Sequence, residues 1–162
     1  MAKDKRKKVG ELAPDFCLPD AEGRDICLRD LLGEKYVLLY FITTEEKRRC
    51  DRSECPLKEN MEKIQSLGVI PVVIDADPVE EHKRFVHDHG ISFNMLSDPT
   101  MKAIQGYGVY EKVNVNGIEK MKVVPTVFLL NPSGKIINVW EPKVIEESVD
   151  DIIKTIKKVV ST

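Results

Sequence analysis

The sequence predicts an α/β fold, in which a central mixed β-sheet is flanked by helices and preceded by a β-hairpin. Two observations carry this prediction. The first is a pair of apolar runs, YVLLYFI at 36–42 and GVIPVVIDAD at 68–77, which have the length and composition of strands covered on both faces. The second is the segment LKENMEKIQSL at 57–67, in which apolar residues recur at helical spacing. A strand, a helix and a strand in this order predict a parallel βαβ unit.

The elements on either side of this unit follow from the same patterns. DFCLPDAEGRDICL at 15–28 alternates on both sides of a turn, which predicts the N-terminal hairpin. Residues 78–89 predict a second helix, which ends at Gly90. A short strand in ISFNMLSD and a short helix in PTMKAIQGYG come next.

The C-terminal third predicts a hairpin and a final helix. VVPTVFLLNPSGKIINVW at 123–140 holds two β-rich runs joined by Asn-Pro-Ser-Gly, and VIEESVDDIIKTIKKVV places its apolar residues on one helical face. A βαβ half followed by a hairpin and a helix is the element order of a thioredoxin-like fold.

Length and charge limit the remaining possibilities. A chain of 162 residues, 42% of them hydrophobic, predicts one domain over 9–162, preceded by a flexible basic arm at 1–8. The formal charge of -2 gives no reason to expect a nucleic-acid partner. No apolar run approaches the ~18 residues of a membrane span, and no apolar signal segment follows the basic start. We therefore expect a cytoplasmic protein that binds neither nucleic acid nor membrane.

The stretch KRRCDRSEC at 47–55 is the strongest candidate for chemistry. Cys50 and Cys55 follow the first buried strand, at the edge where α/β sheets carry their active sites. A reactive thiolate needs its pKa lowered below the usual ~8.5, and nearby cations do this. Four basic residues surround Cys50, but four acidic residues offset them: Lys47, Arg48, Arg49 and Arg52 against Glu45, Glu46, Asp51 and Glu54. The charges alone fit an activated cysteine and a solvated turn equally well.

The spacing of the two cysteines predicts a conformational change. On one unbroken helix their Cα atoms would lie ~8.6 Å apart, beyond the ~7 Å that a disulfide can span. Pro56 weakens such a helix at this point. With local unwinding, oxidation of Cys50 to a sulfenic acid and condensation with Cys55 would give a disulfide.

The other cysteines and the histidines offer alternatives to this interpretation. The spacings C-x9-C and C-x4-C depart from the pairs of a zinc site. Cys17 and Cys27 face each other across the predicted hairpin, where a disulfide can form, although we expect reduced thiols in a cytosol. His82, His87 and His89 would suit metal ligation less well than a solvated helix flank.

These motifs, taken together, resemble the peroxiredoxin (AhpC/TSA) superfamily, and within it the bacterioferritin-comigratory-protein type, over about residues 8–158. The resemblance is carried by the segments GELAPDFCLPDAEGRDICLRDLLGEKYVLLYF, the C-x4-C pair, HKRF at 82–85, ISFNMLSDP, YGVYEK and FLLNPSGKI. It implies that Cys50 is the peroxidatic cysteine and Cys55 the resolving one. It further implies a hydroperoxide substrate, a thioredoxin- or glutaredoxin-like protein reductant, no cofactor, and a monomer or homodimer.

The sequence departs from the family at three positions of the active site. The family places Pro seven residues and Thr or Ser three residues before the peroxidatic cysteine, where this chain has Thr43 and Lys47. The family's Arg from a neighbouring strand corresponds to Pro125. The segment around Pro125 resembles thioredoxins, in which a cis-Pro lies beside the redox cysteines, so a cis bond is expected at Val124–Pro125.

Nearby residues are candidates to replace the missing groups. Lys47 or Arg49 could supply the positive charge, and Thr43 or Thr44 the hydroxyl group. Thr43 with Glu46 also fits a capping box, which would assign both residues a structural role.

Three functions are consistent with the sequence. The first is a thiol peroxidase that uses Cys50 and Cys55. The second is a thiol–disulfide exchanger without peroxide specificity, which the thioredoxin-like Pro125 favours. The third is a peroxiredoxin-like scaffold that has lost its peroxide site and acts as a redox sensor.

Overall fold

The central sheet contains five strands. The structure, a computed structural model, describes residues 5–51 and 53–160. The five strands are β3 (Val37–Phe41), β4 (Ile70–Asp75), β5 (Asn94–Ser97), β8 (Thr126–Leu130) and β9 (Ile136–Trp140), and they lie side by side in the order β5-β4-β3-β8-β9. β3 lies in the middle, parallel to β4 and antiparallel to β8. The predicted mixed sheet and βαβ unit are therefore confirmed.

Helices cover both faces of this sheet. They are α1 (Leu28–Leu31), α2 (Thr44–Arg48), α3 (Pro56–Ser66), α4 (Val79–His89), α5 (Lys102–Tyr107) and α6 (Val149–Val160), with a 3-10 turn at Ile145–Glu147 before α6. α4 ends at Gly90, whose φ of 61° lies in the left-handed region that glycine adopts most readily. None of the helices in the part of the chain that the structure describes is long and apolar enough to cross a membrane.

Alternate side chains of β3 belong to two separate apolar clusters. Leu38 and Tyr40 pack in the cluster covered by α3 and α6, whereas Leu39 and Phe41 pack in the one covered by α5 and the N-terminal hairpin. Because successive side chains of a strand point to opposite faces, the sheet separates the two clusters. Both faces of β3 are buried, as its continuous apolar sequence predicts.

Two β-hairpins lie outside the central sheet. The predicted N-terminal hairpin is formed by β1 (Cys17–Pro19) and β2 (Asp25–Cys27). The second, β6 (Tyr110–Val115) with β7 (Ile118–Val123), is absent from the sequence prediction. Its turn is Asn116-Gly117, with φ values of 53° and 81°, which is the strongest short-range hairpin signal in a sequence.

The basic N-terminal segment contacts the rest of the chain where the structure describes it. The Arg6 guanidinium lies 2.8 Å from a Glu141 carboxylate oxygen, and the Lys7 N–H donates to the carbonyl of Tyr107. Residues 1–4 of the expected flexible arm lie outside the described residues. The arm at 1–8 and the single domain at 9–162 remain predictions.

Candidate active site

Cys50 and Cys55 are joined by a disulfide that connects the end of one helix to the start of the next. α2 stops at Arg48, and the Cys50 N–H donates to the carbonyl of Lys47 in its final turn. Cys55 is the N-cap of α3, and Pro56 is the first helical residue, where its missing N–H costs nothing. The two Cα atoms lie 4.0 Å apart. The break between α2 and α3 thus provides the unwinding that a disulfide requires.

A turn between the two cysteines is built around Asp51. One oxygen of its carboxylate accepts hydrogen bonds from the backbone N–H groups of Ser53 and Glu54, at 2.8 and 2.9 Å. The Ser53 hydroxyl donates to the same oxygen, at 2.8 Å, and this bond, followed by the two backbone bonds, holds the pKa of Asp51 below its usual range. Arg52, one of the cations expected near Cys50, lies outside the described residues.

The two cysteines differ in their exposure to solvent. Cys55 is 6% exposed and belongs to the same apolar cluster as Tyr40 and Leu57. Cys50 is half-buried and packs against this cluster from its margin. An incoming molecule therefore reaches the sulfur of Cys50 more readily than that of Cys55.

Lys47 is engaged by two carboxylates at the end of β4. Its side chain is 7% exposed, and its ammonium lies 2.8 Å from Asp75 and 2.5 Å from Asp77. The Thr44 hydroxyl also donates to Asp77, at 3.1 Å. Burial opposes ionisation of Asp77, but the hydrogen bond and charge of Lys47 outweigh it, so the pKa of Asp77 is lowered. Lys47 and Thr44 together fasten α2 to β4.

His82 extends this network into the core. Its Nε2 lies 2.6 Å from Asp75 and its Nδ1 lies 3.0 Å from the Ser97 hydroxyl. The His82 side chain is fully buried, so the expected solvated helix flank is wrong for this residue. The physical reason is that α4 turns this position toward the ends of β4 and β5, where two polar side chains satisfy both ring nitrogens.

Arg49 lies between two glutamates. Its guanidinium is 3.2 Å from Glu46 and 2.9 Å from Glu146. Burial raises the pKa of Glu46, the charge of Arg49 opposes this effect, and the charge of Glu146 adds to it. Burial, followed by the charge of Glu46, also raises the pKa of Tyr40.

The capping box expected at the start of α2 is not formed. Thr43 is the N-cap by its backbone conformation, but its side chain makes no capping hydrogen bond. Glu46 turns toward Arg49 instead of reaching back to the Thr43 N–H. The prediction was wrong because the ion pair with Arg49 competes for the same carboxylate.

Pro125 lies next to the end of β3, but its peptide bond is trans. Thr126, the next residue, pairs with Phe41 at the carboxyl end of β3. No cis peptide bond occurs in the described ranges, so the expected cis bond at Val124–Pro125 is wrong. The Val124 N–H donates to the carbonyl of Val109, which keeps the chain extended as it runs from β7 into β8. The trans isomer, favoured by ≈ 0.5–1 kcal/mol, suits that path.

The network around Lys47 contains residues that the sequence analysis missed. Asp75 is the last residue of the buried strand β4 and Asp77 lies two residues further on, at the same edge of the sheet as Cys50. The argument from strand ends that singled out Cys50 applies equally to them. Across the part of the chain that the structure describes, no group of three or more His, Cys, Asp or Glu side chains is arranged to hold a metal ion.

The fold and the site define a thioredoxin-fold protein with a disulfide-bonded cysteine pair beyond the end of its central strand. A family model described as the AhpC/TSA family matches residues 9–139. The chain therefore belongs to the AhpC/TSA family. Curated proteins that are similar to this chain are named peroxiredoxins.

The relatives include curated proteins and solved structures. The chain is 31% identical over 134 residues to peroxiredoxin Bcp of Escherichia coli, covering 83% of this chain and 85% of that protein. It is 26% identical over 150 residues to peroxiredoxin Bcp of Bacillus subtilis, covering 93% and 95%. The crystal structure of peroxidoxin BcpB from Mycobacterium tuberculosis shares the fold, with a TM-score of 0.76, 23% identity, and coverage of 95% of this chain and 99% of that one.

Proposed function

We propose that the protein is a thiol peroxidase that reduces hydroperoxides with Cys50 as the peroxidatic and Cys55 as the resolving cysteine. The Cys50 thiolate attacks one peroxide oxygen, the O–O bond breaks, water or an alcohol leaves, and Cys50 becomes a sulfenic acid. The thiolate of Cys55 attacks that sulfur and displaces hydroxide, which leaves as water and gives the disulfide. A thioredoxin- or glutaredoxin-like protein then returns both cysteines to thiols by exchange.

The Cys50–Cys55 disulfide is the observation that carries this proposal. It joins the end of α2 to the N-cap of α3, with Cα atoms 4.0 Å apart. This is the product expected after the resolving step. In the dithiol form we infer that α2 continues through Cys50, which would separate the two Cα atoms and open the sulfur of Cys50 to peroxide.

Arg49 is the candidate to stabilise the thiolate of Cys50. It is adjacent in sequence, its side chain is 32% exposed, and its present partners are carboxylates that a thiolate can replace in part. Lys47 is committed to Asp75 and Asp77, so its role in the proposal is to hold α2 in place.

Two uncharged residues complete the proposed site. Thr43 is assigned the role of the family's hydroxyl group, because its side chain makes no capping bond and is free to turn toward a substrate. Pro125 is proposed to form a wall of the site, since the sheet register puts it beside the end of β3. We further propose that the protein acts in the cytoplasm as a monomer or homodimer.

Peroxide consumption with a dithiol as the electron donor tests the proposal. Cys50→Ser should abolish consumption, because Cys55, the thiol that remains at this edge of the sheet, is only 6% exposed. Reduced Cys55→Ser protein, freed of the dithiol before peroxide is added, should consume one equivalent of peroxide and leave a sulfenic acid on Cys50 that dimedone labels. The matched control is Cys17→Ser with Cys27→Ser, which should keep the activity. A wild-type protein that consumes peroxide no faster than free cysteine would refute the proposal.

Thiol–disulfide exchange is the second candidate function. It is favoured by the ion pairs of Lys47 and Arg49, in which both cations expected to replace the family's Arg are bound to carboxylates. An insulin-reduction assay beside the peroxide assay separates the two functions. Exchange activity without peroxidase activity would replace the first proposal with the second.

A further inference from the structure

We propose that Cys17 and Cys27 form a second redox centre, which exchanges with external dithiols independently of Cys50 and Cys55. The structure joins these cysteines by a disulfide, where reduced thiols were expected. The centre lies in the N-terminal hairpin formed by β1 and β2, outside the five-stranded sheet.

The register of the hairpin brings the two sulfurs together in either redox state. Cys17 is directly opposite Cys27, with Cα atoms 4.0 Å apart. The Leu28 N–H donates to the carbonyl of Phe16 on one side of this pair, which makes Cys17 and Cys27 a non-hydrogen-bonded pair. Such pairs bring side chains closest together. The backbone ladder therefore holds the thiols adjacent, so that the bond can open and close without rebuilding the hairpin.

The turn of the hairpin is stabilised separately from the disulfide. The Asp20 carboxylate accepts hydrogen bonds from the backbone N–H groups of Glu22 and Arg24, each at 2.9 Å. The Arg24 side chain closes an ion pair with the same carboxylate, at 3.1 Å. These contacts remain when the disulfide is reduced, and they keep the two strands in register.

The two sulfurs differ in their access to an attacking thiol. Cys17 is exposed and lines a groove of about 380 Å³ together with Phe16 and Tyr107, whereas Cys27 is buried. An incoming thiolate attacks the sulfur of Cys17, the S–S bond breaks, and Cys27 leaves as a thiolate that takes up a proton. The second thiol of the reductant, as its thiolate, then attacks the mixed disulfide and releases Cys17. Two electrons and two protons pass from the dithiol to the centre.

The centre is too isolated to exchange with Cys50 and Cys55 in the same chain. Leu18 and Ile26 of the hairpin pack against the cluster that contains Phe41, on one face of the central sheet. Cys50 and Cys55 belong to the cluster on the opposite face. With the sheet between them, each pair must meet a dithiol on its own.

Native-state alkylation after dithiothreitol treatment tests this inference. The protein for the experiment is the full chain carrying Cys50→Ser and Cys55→Ser, so that only the hairpin cysteines react. N-ethylmaleimide should label both thiols without denaturant, with Cys17 modified at least about tenfold faster because it is exposed. Removing the dithiol and adding oxidised glutathione should close the disulfide again.

The complementary variant supplies the control. In the chain carrying Cys17→Ser and Cys27→Ser, the dithiothreitol concentration that fully reduces Cys50–Cys55 is measured first. The peroxide consumption of this variant should stay within about twofold of wild type. If the hairpin cysteines resist labelling in native protein at that concentration and react only after unfolding, the disulfide is a structural crosslink and the inference fails. If the variant carrying Cys50→Ser and Cys55→Ser does not fold, peptide mapping of alkylated wild-type protein shows instead whether Cys17 and Cys27 were labelled in the native state. Failure here leaves the proposed peroxidase function untouched.

Discussion

Replacing Lys47 with Met should strongly destabilise the protein. The substitution keeps an apolar stem of similar length but removes the ammonium group that lies 2.8 Å from Asp75 and 2.5 Å from Asp77. Asp75 is 2% exposed, so its charge loses a buried partner rather than a solvated one. Breaking a buried ion pair on one side costs about 3–5 kcal/mol. For a chain of this size, about 4 kcal/mol lowers the melting temperature by about 10 °C.

Urea unfolding at pH 7 measures this loss, and two further variants define its origin. Arg48→Met in the same helix removes an exposed ion pair with Glu45 and should change the free energy of unfolding by less than about 0.5 kcal/mol. Adding Asp75→Asn to Lys47→Met should recover at least about 1 kcal/mol, because the buried charge of Asp75 that lost its partner is then removed as well. If Lys47→Met costs less than about 1 kcal/mol, or if the two changes are additive, the buried pair does not hold α2 to β4.

Three further predictions address the remaining charges and the second disulfide. Arg49→Met should raise the pKa of the reduced Cys50 thiol and slow its alkylation at neutral pH by about tenfold, measured as rate against pH; an unchanged profile would exclude Arg49 as the activating cation. Cys17→Ser with Cys27→Ser should lower the free energy of unfolding by about 3 kcal/mol, the chain-entropy value for so short a loop, and dithiothreitol should then lower the melting temperature by less than it does in the wild type, because only Cys50–Cys55 is left to reduce. Glu46→Gln should stabilise the protein more at pH 7 than at pH 4. The pKa of Glu46 is raised in the folded state, so the stability that its neutral form contributes is lost as pH rises through that value, whereas Gln stays neutral. If the variant shifts the urea midpoint from that of the wild type by the same amount at both pH values, the prediction is contradicted.

The sequence predicted the elements whose pattern is local. The strand YVLLYFI and the helix after Pro56 could be read from apolar spacing, and the position of Cys50 followed from the end of that strand. The hairpin at Tyr110–Val123 was missed although Asn116-Gly117 marks it, because few of its residues are buried and its apolar alternation is weak.

The charges around Cys50 could not be assigned from sequence spacing. Lys47 is close to Cys50 along the chain, but its partners Asp75 and Asp77 lie at the end of the next strand, β4, on the other side of α3 in sequence. Likewise Glu146, which binds Arg49, belongs to the C-terminal region. Pairing over such separations depends on which strand ends adjoin, and the strand order of the sheet decides that.

The fastening of α2 to β4 limits how much of the chain must move in a catalytic cycle. Thr44 and Lys47 hold the first turn of the helix against Asp77, and Cys50 lies just beyond its last residue. Amide hydrogens between Thr44 and Arg48 should therefore exchange with solvent deuterium at the same rates before and after oxidation. Changes in protection should begin at the Cys50 amide. The redox transition then unwinds only the chain that follows α2, and the central sheet and the other helices keep their positions.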